Sequence, residues 1–322
     1  MSDKKINAVK IVCLGGGVGT VQLIKGLRTY SDQITVVASM ADDGGSGGRL
    51  RRLFSIPPTG DLINCIAALS DAEPTLKDML TYRFEGDRWG RDDSLGGQKL
   101  GNLMLVALTK ITGSFNTALT EAERLFSCKG KILPASVENV SIWAKTNDGQ
   151  KILGEETIDL GKYNGNRTLS EVHLEPADAQ APADVVDAIK EADMIIAGPG
   201  DLYTTTLPVL LVQNIKAALQ KSKAKKIFII NTTNKPFETR HYKASDYIQA
   251  ITTHLGSFPF EYCVVNSNTS YAIPSELQYE YVTIDSDNIP SGVHIINDDI
   301  VSEDYPLYHD STKLAGVLKK LL

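Results

Sequence analysis

Residues 10–20, KIVCLGGGVGT, decide the fold: a short apolar run rich in β-branched residues leads into a glycine turn, and a helical pattern follows as far as residue 30. A second strand pattern, residues 34–40 (ITVVASM), again runs into a glycine-bearing loop at residues 41–48. Strand, glycine turn, helix and strand make the opening of a right-handed βαβ unit, which implies a parallel sheet. In open sheets of this kind ligands bind outside the carboxyl ends of the strands.

The rest of the chain keeps that rhythm with one interruption. Residues 61–70, 100–111 and 116–127 read as helices, and the second of these (LGNLMLVALTKI) is apolar almost all round, as a buried helix would be. Residues 131–174 change character, with strand-like pieces at 140–145, 151–153, 156–160 and 171–174 and a hairpin signal, TNDG, at 146–149. This stretch is too short and few-stranded for an independent domain and is expected to be an antiparallel excursion from the main sheet. Helix patterns at 183–191, 207–221 and 245–255 then alternate with strand patterns at 194–198, 226–231, 261–266 and 294–296, and a Lys/Leu helix starts at Ser311. The expected architecture is one α/β domain over residues 1–322, built on a doubly wound, mostly parallel sheet.

Composition narrows the partners. The 322 residues carry a net charge of −6, which disfavours a general nucleic-acid or anionic-membrane binder, whose affinity comes from a basic face. A phosphate ligand stays open, because backbone amides bind it without net positive charge. No apolar run approaches the roughly 20 residues of a spanning helix, and the polar start MSDKKINAVK has no signal-peptide core; a cytoplasmic protein is expected. Cys13, Cys65, Cys128 and Cys263 lie far apart and suit buried free thiols rather than disulfides or zinc. The five histidines show no HxH or HxxxH spacing, and there is no P-loop, GxSxG elbow or kinase signature.

Four segments carry the chemistry. In GGGVGT, Gly15, Gly16, Gly17, Gly19 and Thr20 can bring backbone amides and a helix N-terminus up to a phosphate. In ADDGGSGGRLRR (41–52), Asp42 and Asp43 could hold Mg²⁺ between phosphate oxygens, with Ser46 and Arg49 beside them; a solvated loop of paired charges is the plain alternative. In PPTGDLIN (57–64), Asp61 and Asn64 open a helix, where Asp61 either caps it or faces the same cleft as Asp42. GPGDLYTTT (198–206) repeats the logic of the first loop through Gly198, Gly200, Asp201, Tyr203 and Thr204. Asn102 at the start of the 100–111 helix is more polar than packing needs and is a further ligand-facing candidate, against a bond within the helix end. A ligand lying across neighbouring strand ends would use both glycine loops.

In this order, the segments GGGVGT, ADDGGSGGRLR, PPTGDLINCIAALS, LGNLMLVALT, ADMIIAGPGDLYTTTLPVLL and NTTNKPFET resemble the family of the gluconeogenesis factor YvcK, a relative of the phospholactate transferase CofD. The resemblance implies a Rossmann-like α/β domain with a small β appendage. It implies a UDP-sugar such as UDP-N-acetylglucosamine as ligand, with NAD as an alternative occupant, and a role in central carbon metabolism and in cell-wall and cell-shape homeostasis. Residue by residue it places the first loop on the phosphates, Asp42 and Asp43 at an acidic centre, and Arg49, Asp61, Asn64 and Asn102 along the cleft. Departures from the pattern are Gly47, Thr59, Asp201 where a serine is usual, and NTTNKPFETR as a loose version of NxMTQPGET. An acid at 201 repels phosphate unless a cation or hydrogen bond offsets it.

Two functions follow. One is a regulatory protein that senses a nucleotide ligand without turnover. The other is a Mg²⁺-dependent transferase in which Asp42, Asp43 and Arg49 act on a phosphorylated small acid or sugar and a nucleotide-activated partner. The 41–51 segment matches the first branch better. No cofactor is fixed by the sequence, and homo-oligomer formation is left open.

Overall fold

The computed structural model describes residues 9–91, 94–163 and 168–322. The polar start of the chain at residues 1–8, and residues 164–167 of the expected excursion, lie outside the described residues. The strands in chain order are β1 (Ile11–Gly15), β2 (Ile34–Ala38), β3 (Lys131–Pro134), β4 (Ser141–Thr146), β5 (Lys151–Leu153), β6 (Leu169–Glu175), β7 (Met194–Ala197), β8 (Lys225–Ile229), β9 (Thr233–Asn234), β10 (Tyr262–Asn266), β11 (Glu280–Tyr281) and β12 (His294–Asp298). Seven of them form a sheet in the order β12-β10-β8-β7-β1-β2-β3, with every pairing parallel. From β1 the chain winds outward through β2 to β3, then returns to the other side of β1 at β7 and winds the opposite way. This is the doubly wound topology, with its switch point between β1 and β7.

Strand β1 shows how both faces are covered. Ile11 and Cys13 pack with Leu23, Ile24, Leu62 and Leu314 on one side. Val12 and Leu14 pack with Leu207, Ile215 and Tyr247 on the other. Two-sided burial is why these strands read as continuous apolar runs rather than alternating ones. Cys13, Cys65 and Cys263 are buried free thiols and Cys128 is a partly covered one. No helix among the described residues is long and apolar enough to cross a membrane.

Four sequence expectations are corrected. Residues 131–134 are not part of the excursion but an edge strand of the parallel sheet, paired with β2. The antiparallel sheet is therefore β5-β4-β6, turned at Gly149 with φ 88°, and its inward residues Ile142, Ile152 and Val172 join the same hydrophobic cluster as Val12 and Leu14. The strand-like piece at 156–160 is a helix, Glu155–Asp159, because the carboxylate of Asp43 caps its start by accepting from the Glu155 and Glu156 amides at 3.2 and 2.8 Å. The expected helix 207–221 is broken: Leu202–Thr206 forms a π-helical turn, and Leu207–Leu210 and Gln213–Lys221 follow as separate helices. The Leu100–Thr112 helix is only half covered, with Ile111 79% exposed.

The glycine-bearing loop at 41–48 ends early, since Gly45–Phe54 is a helix despite three glycines. Close packing overrides the poor helix propensity of glycine here. A β-carbon on Gly48 would stand 1.9 Å from the Asp43 carbonyl oxygen. Gly48→Val is expected to cost about 2 kcal/mol or more by overpacking, read as a lowered unfolding midpoint; an unchanged midpoint would show that the Asp43 turn yields freely.

Candidate functional site

Because β1 and β7 lead their chains away in opposite senses, their carboxyl ends open a crevice. The glycine turns after the two strands meet there. A β-carbon on Gly19 would lie 2.6 Å from the Pro199 carbonyl oxygen, and one on Gly200 would lie 3.3 Å from the Gly16 oxygen. The Thr20 hydroxyl donates to that Pro199 oxygen at 3.4 Å. Between the turns is a cavity of about 170 Å³, lined by Gly17, Gly19, Gly200, Asp201, Thr205 and Asn231 and closed behind by His309. Burial lowers His309 to about 4, so this ring adds no positive charge near neutral pH.

Carboxylates of the same chain occupy several donors of these turns. The Gly17 amide donates to Asp61 Oδ2 at 2.8 Å. The Tyr203 amide and the Thr204 hydroxyl donate to the two oxygens of Glu238 at 3.0 and 2.8 Å. The Gly200 amide donates to Asn231 Oδ1 at 2.9 Å. In the π-helical turn the Thr206 amide reaches back five residues to the Asp201 carbonyl at 2.8 Å; such turns recur at functional sites.

Asp201, the acid placed in a phosphate-type loop, has its cation. Lys235 Nζ lies 2.8 Å from Asp201, 3.6 Å from Glu238, and also pairs with Asp159. Burial would lower the lysine, but the charges of Asp201, Glu238 and Asp159 outweigh it and hold the ammonium charged. Glu238 is raised to about 7, chiefly by burial. Lys235 and Glu238 belong to the NTTNKPFET segment, whose departure from the family pattern thus answers the departure at Asp201.

The second segment divides. Asp43 spends its carboxylate on the Glu155–Asp159 helix. Asp42 accepts from the Gly44 amide at 2.9 Å and turns toward Asp61 and Glu155. Its carboxyl is raised to about 7, first by burial and then by the charge of Asp61, and Asp61 is raised by burial. Glu155, absent from the sequence candidates, is raised by burial and then by Asp42 and Asp159. Arg49 does not offer an open fork to the cleft: it is 1% exposed, and its Nη atoms donate to the Arg91, Ser94 and Gly96 carbonyls. Ser46 accepts from Arg83 at 3.0 Å, and Asn64 accepts from Lys99 at 2.6 Å. Asn102 is buried, with Oδ1 lacking a partner. Lys99 stands beside Asn102 at the mouth of the 100–111 helix pattern, but Arg83 and Arg88 were missed because residues 83–99 carry no motif; the glycines at 86, 90, 96 and 97 set among basic residues are the signal that was present.

The transferase reading of the sequence raises the question of a divalent metal. Asp42 and Asp43 do not present two open carboxylates to one ion, since both oxygens of Asp43 hold amides. Among the described residues, the carboxylates close enough to share an ion belong to Asp159, Asp201 and Glu238, within 4.8 Å of one another. Three carboxylates suit a hard cation, but Lys235 already supplies the positive charge there. The residues therefore do not fit a resident metal at Asp42 and Asp43.

Fold and crevice define a doubly wound α/β protein whose two glycine turns meet at the switch point. Residues 11–301 match the family described as 2-phospho-L-lactate transferase CofD, and the chain belongs to that family. It is similar to the gluconeogenesis factor of Bacillus subtilis (strain 168), 40% identical over 322 residues, covering 97% of this chain and 98% of that protein. It is similar also to the gluconeogenesis factor of Halalkalibacterium halodurans, 37% identical over 314 residues, 96% of this chain and 95% of that one. A crystal structure of a Bacillus halodurans protein shares the fold with a TM-score of 0.89 at 35% identity, covering 97% of this chain and 99% of its own. The resemblance carried by the motifs is borne out.

Two stability experiments follow from the charges. An acid raised from 3.8 to about 7 in the folded chain takes up a proton on folding between those values, so its contribution is greatest in acid and is lost as pH climbs through 7. Asp42→Asn should gain on wild type in unfolding temperature as pH rises from 4 to 8; a constant offset would place the Asp42 carboxyl in water. Lys235→Met strips the counter-charge from three carboxylates and should cost about 3 kcal/mol at pH 8, and less at pH 5, where those acids can protonate. Equal losses at both values would contradict the ion cluster.

Proposed function

We propose that the chain is a gluconeogenesis factor that binds a nucleotide-type phosphorylated ligand, a UDP-sugar such as UDP-N-acetylglucosamine or a dinucleotide such as NAD, in the switch-point crevice. On this reading it acts in carbon metabolism and cell-wall and cell-shape homeostasis as a ligand-responsive regulator in the cytoplasm. The observation that carries the reading is the meeting of the Gly15–Thr20 and Gly198–Thr204 turns over one crevice, with the Gly19–Pro199 approach too close for any side chain. A phosphate entering there would replace internal carboxylates on ready-made donors, which keeps the site ordered before the ligand arrives. The donor groups are neutral, so the net charge of −6 does not oppose them.

A second reading, a Mg²⁺-dependent transferase, is favoured by one feature: Asp42, raised to about 7 beside Asp61, has the acidity of a group that exchanges a proton near neutral pH. The commitment of Asp43 to a helix cap and of Lys235 to the acidic cluster favours the regulator.

Calorimetry with UDP-N-acetylglucosamine, NAD and GDP, with and without Mg²⁺, and mass spectrometry of the mixtures separate the two. The regulator reading expects heat from at least one nucleotide, no new product, and loss of that heat in Gly17→Val, where φ is 68° and the added side chain enters the cavity. A Mg²⁺-dependent product would overturn it in favour of the transferase, and silence toward all three nucleotides would overturn both.

A further inference from the structure

The crevice at the switch point measures about 170 Å³, whereas sites for whole small-molecule ligands run to roughly 300–1,000 Å³. It has room for a phosphate-sized part of the ligand proposed above, whose remainder must lie elsewhere. From Gly17 the polar surface continues through Asp61 to Asn64 and Lys99, one turn further along the Gly60–Leu69 helix and at the N-terminus of the Leu100–Thr112 helix.

We propose that Arg83, Arg88 and Lys99, gathered at that helix N-terminus, form a second anion subsite that takes a phosphate or carboxylate of a ligand whose first phosphate occupies the crevice. The inference rests on the crevice reading and extends it. Arg83 Nη1 donates to Ser46 Oγ at 3.0 Å and to the Gly97 carbonyl at 2.6 Å, which fixes its direction. The Arg88 guanidinium lies over Gly45, with Nη2 3.0 Å from where a β-carbon would stand. Arg88 is exposed and its guanidinium lies 4.7 Å over the Trp89 ring, a contact that leaves its N–H donors at the edge, and none of the three cations forms an ion pair among the described residues. Crowding leaves its mark: Lys99 is lowered to about 8, by burial first and then by Arg83, with Arg88 adding to it. The carboxyls of Asp42, Asp61 and Asp159 act on this group, but Asp42 is raised to about 7, Asp61 accepts from the Gly17 amide and Asp159 pairs with Lys235.

The helix itself supplies a second, independent observation. The Gly101 and Asn102 amides on its first turn have no acceptor among the described residues. Beside them Asn102 Oδ1 and Gln98 Oε1 are buried without a partner, on residues 1% and 2% exposed. Buried unpaired oxygens are rare and call for a donor. Amides and cations for an anion, with carbonyl oxygens next to them for a hydroxyl or N–H, describe a phosphorylated or carboxylated group that carries such a donor. A lone chloride or sulfate would satisfy only half of the set.

Inorganic phosphate is the probe, titrated by calorimetry at low salt into the full chain and into Arg88→Ala, Lys99→Met and Gly17→Val. Loss of a charged hydrogen-bond donor should weaken the phosphate component by about tenfold or more in Arg88→Ala and in Lys99→Met, while Gly17→Val retains it. Arg88→Ala removes an exposed side chain that rests on the equally exposed Trp89 ring, and it is expected to stay within about 1 °C of the wild-type unfolding temperature, which guards against Lys99→Met failing to fold. Phosphate affinity unchanged in Arg88→Ala, lost only in Gly17→Val, or absent from wild type would overturn the subsite. Nucleotide binding that survives Gly17→Val would instead strike the crevice reading, so the two failures are distinguishable.

Discussion

Two glycine turns can stand shoulder to shoulder at the switch point only because carboxylates of the same chain hold their donors. Asp61 on the Gly17 amide ties the Gly60–Leu69 helix to the first turn, and Glu238 on Tyr203 and Thr204 ties residues 231–239 to the second. Buried amides and hydroxyls without partners would cost about 1–3 kcal/mol each, so these bonds are what lets the turns form before a ligand arrives. Burying the acids also has a cost, visible in the upward displacement of Asp61 and Glu238.

The acidic centre then needs its own balance. Lys235 meets Asp159, Asp201 and Glu238, while Asp42 and Glu155 stay protonated into ranges where exposed carboxyls are ionised. Negative charge is thereby kept low on the floor of a site read as anion-binding. Arg83 and Arg88 crowd Lys99 beside this centre closely enough to lower it, so positive charge stands next to the acids even though residues 83–99 carry as many acids as bases.

Much of this was legible in the sequence. KIVCLGGGVGT and MIIAGPGDLYTTT announce parallel strands followed by glycine turns, and the parallel pairing of β1 with β7 places them side by side as the doubly wound pattern requires. Local pattern failed where tertiary contact decides the outcome. Glu155–Asp159 is helical because a carboxylate more than a hundred residues earlier caps it, and Gly45–Phe54 is helical because Gly48 packs on the Asp43 carbonyl. Arg49 looked like a ligand fork but is spent on the Arg91, Ser94 and Gly96 carbonyls, and nothing in its sequence neighbourhood distinguishes the two uses. The partners Lys235 for Asp201 and Glu238 for Thr204 are likewise pairings across more than thirty residues.

The central claim is that both turns serve one ligand. Amide resonances followed by ¹H–¹⁵N spectroscopy during titration with UDP-N-acetylglucosamine or NAD test it most directly. The signals of Gly17, Val18 and Gly19 should move in step with those of Gly200 and Tyr203, along a single binding curve. Movement confined to one turn, or two curves with different midpoints, would contradict it.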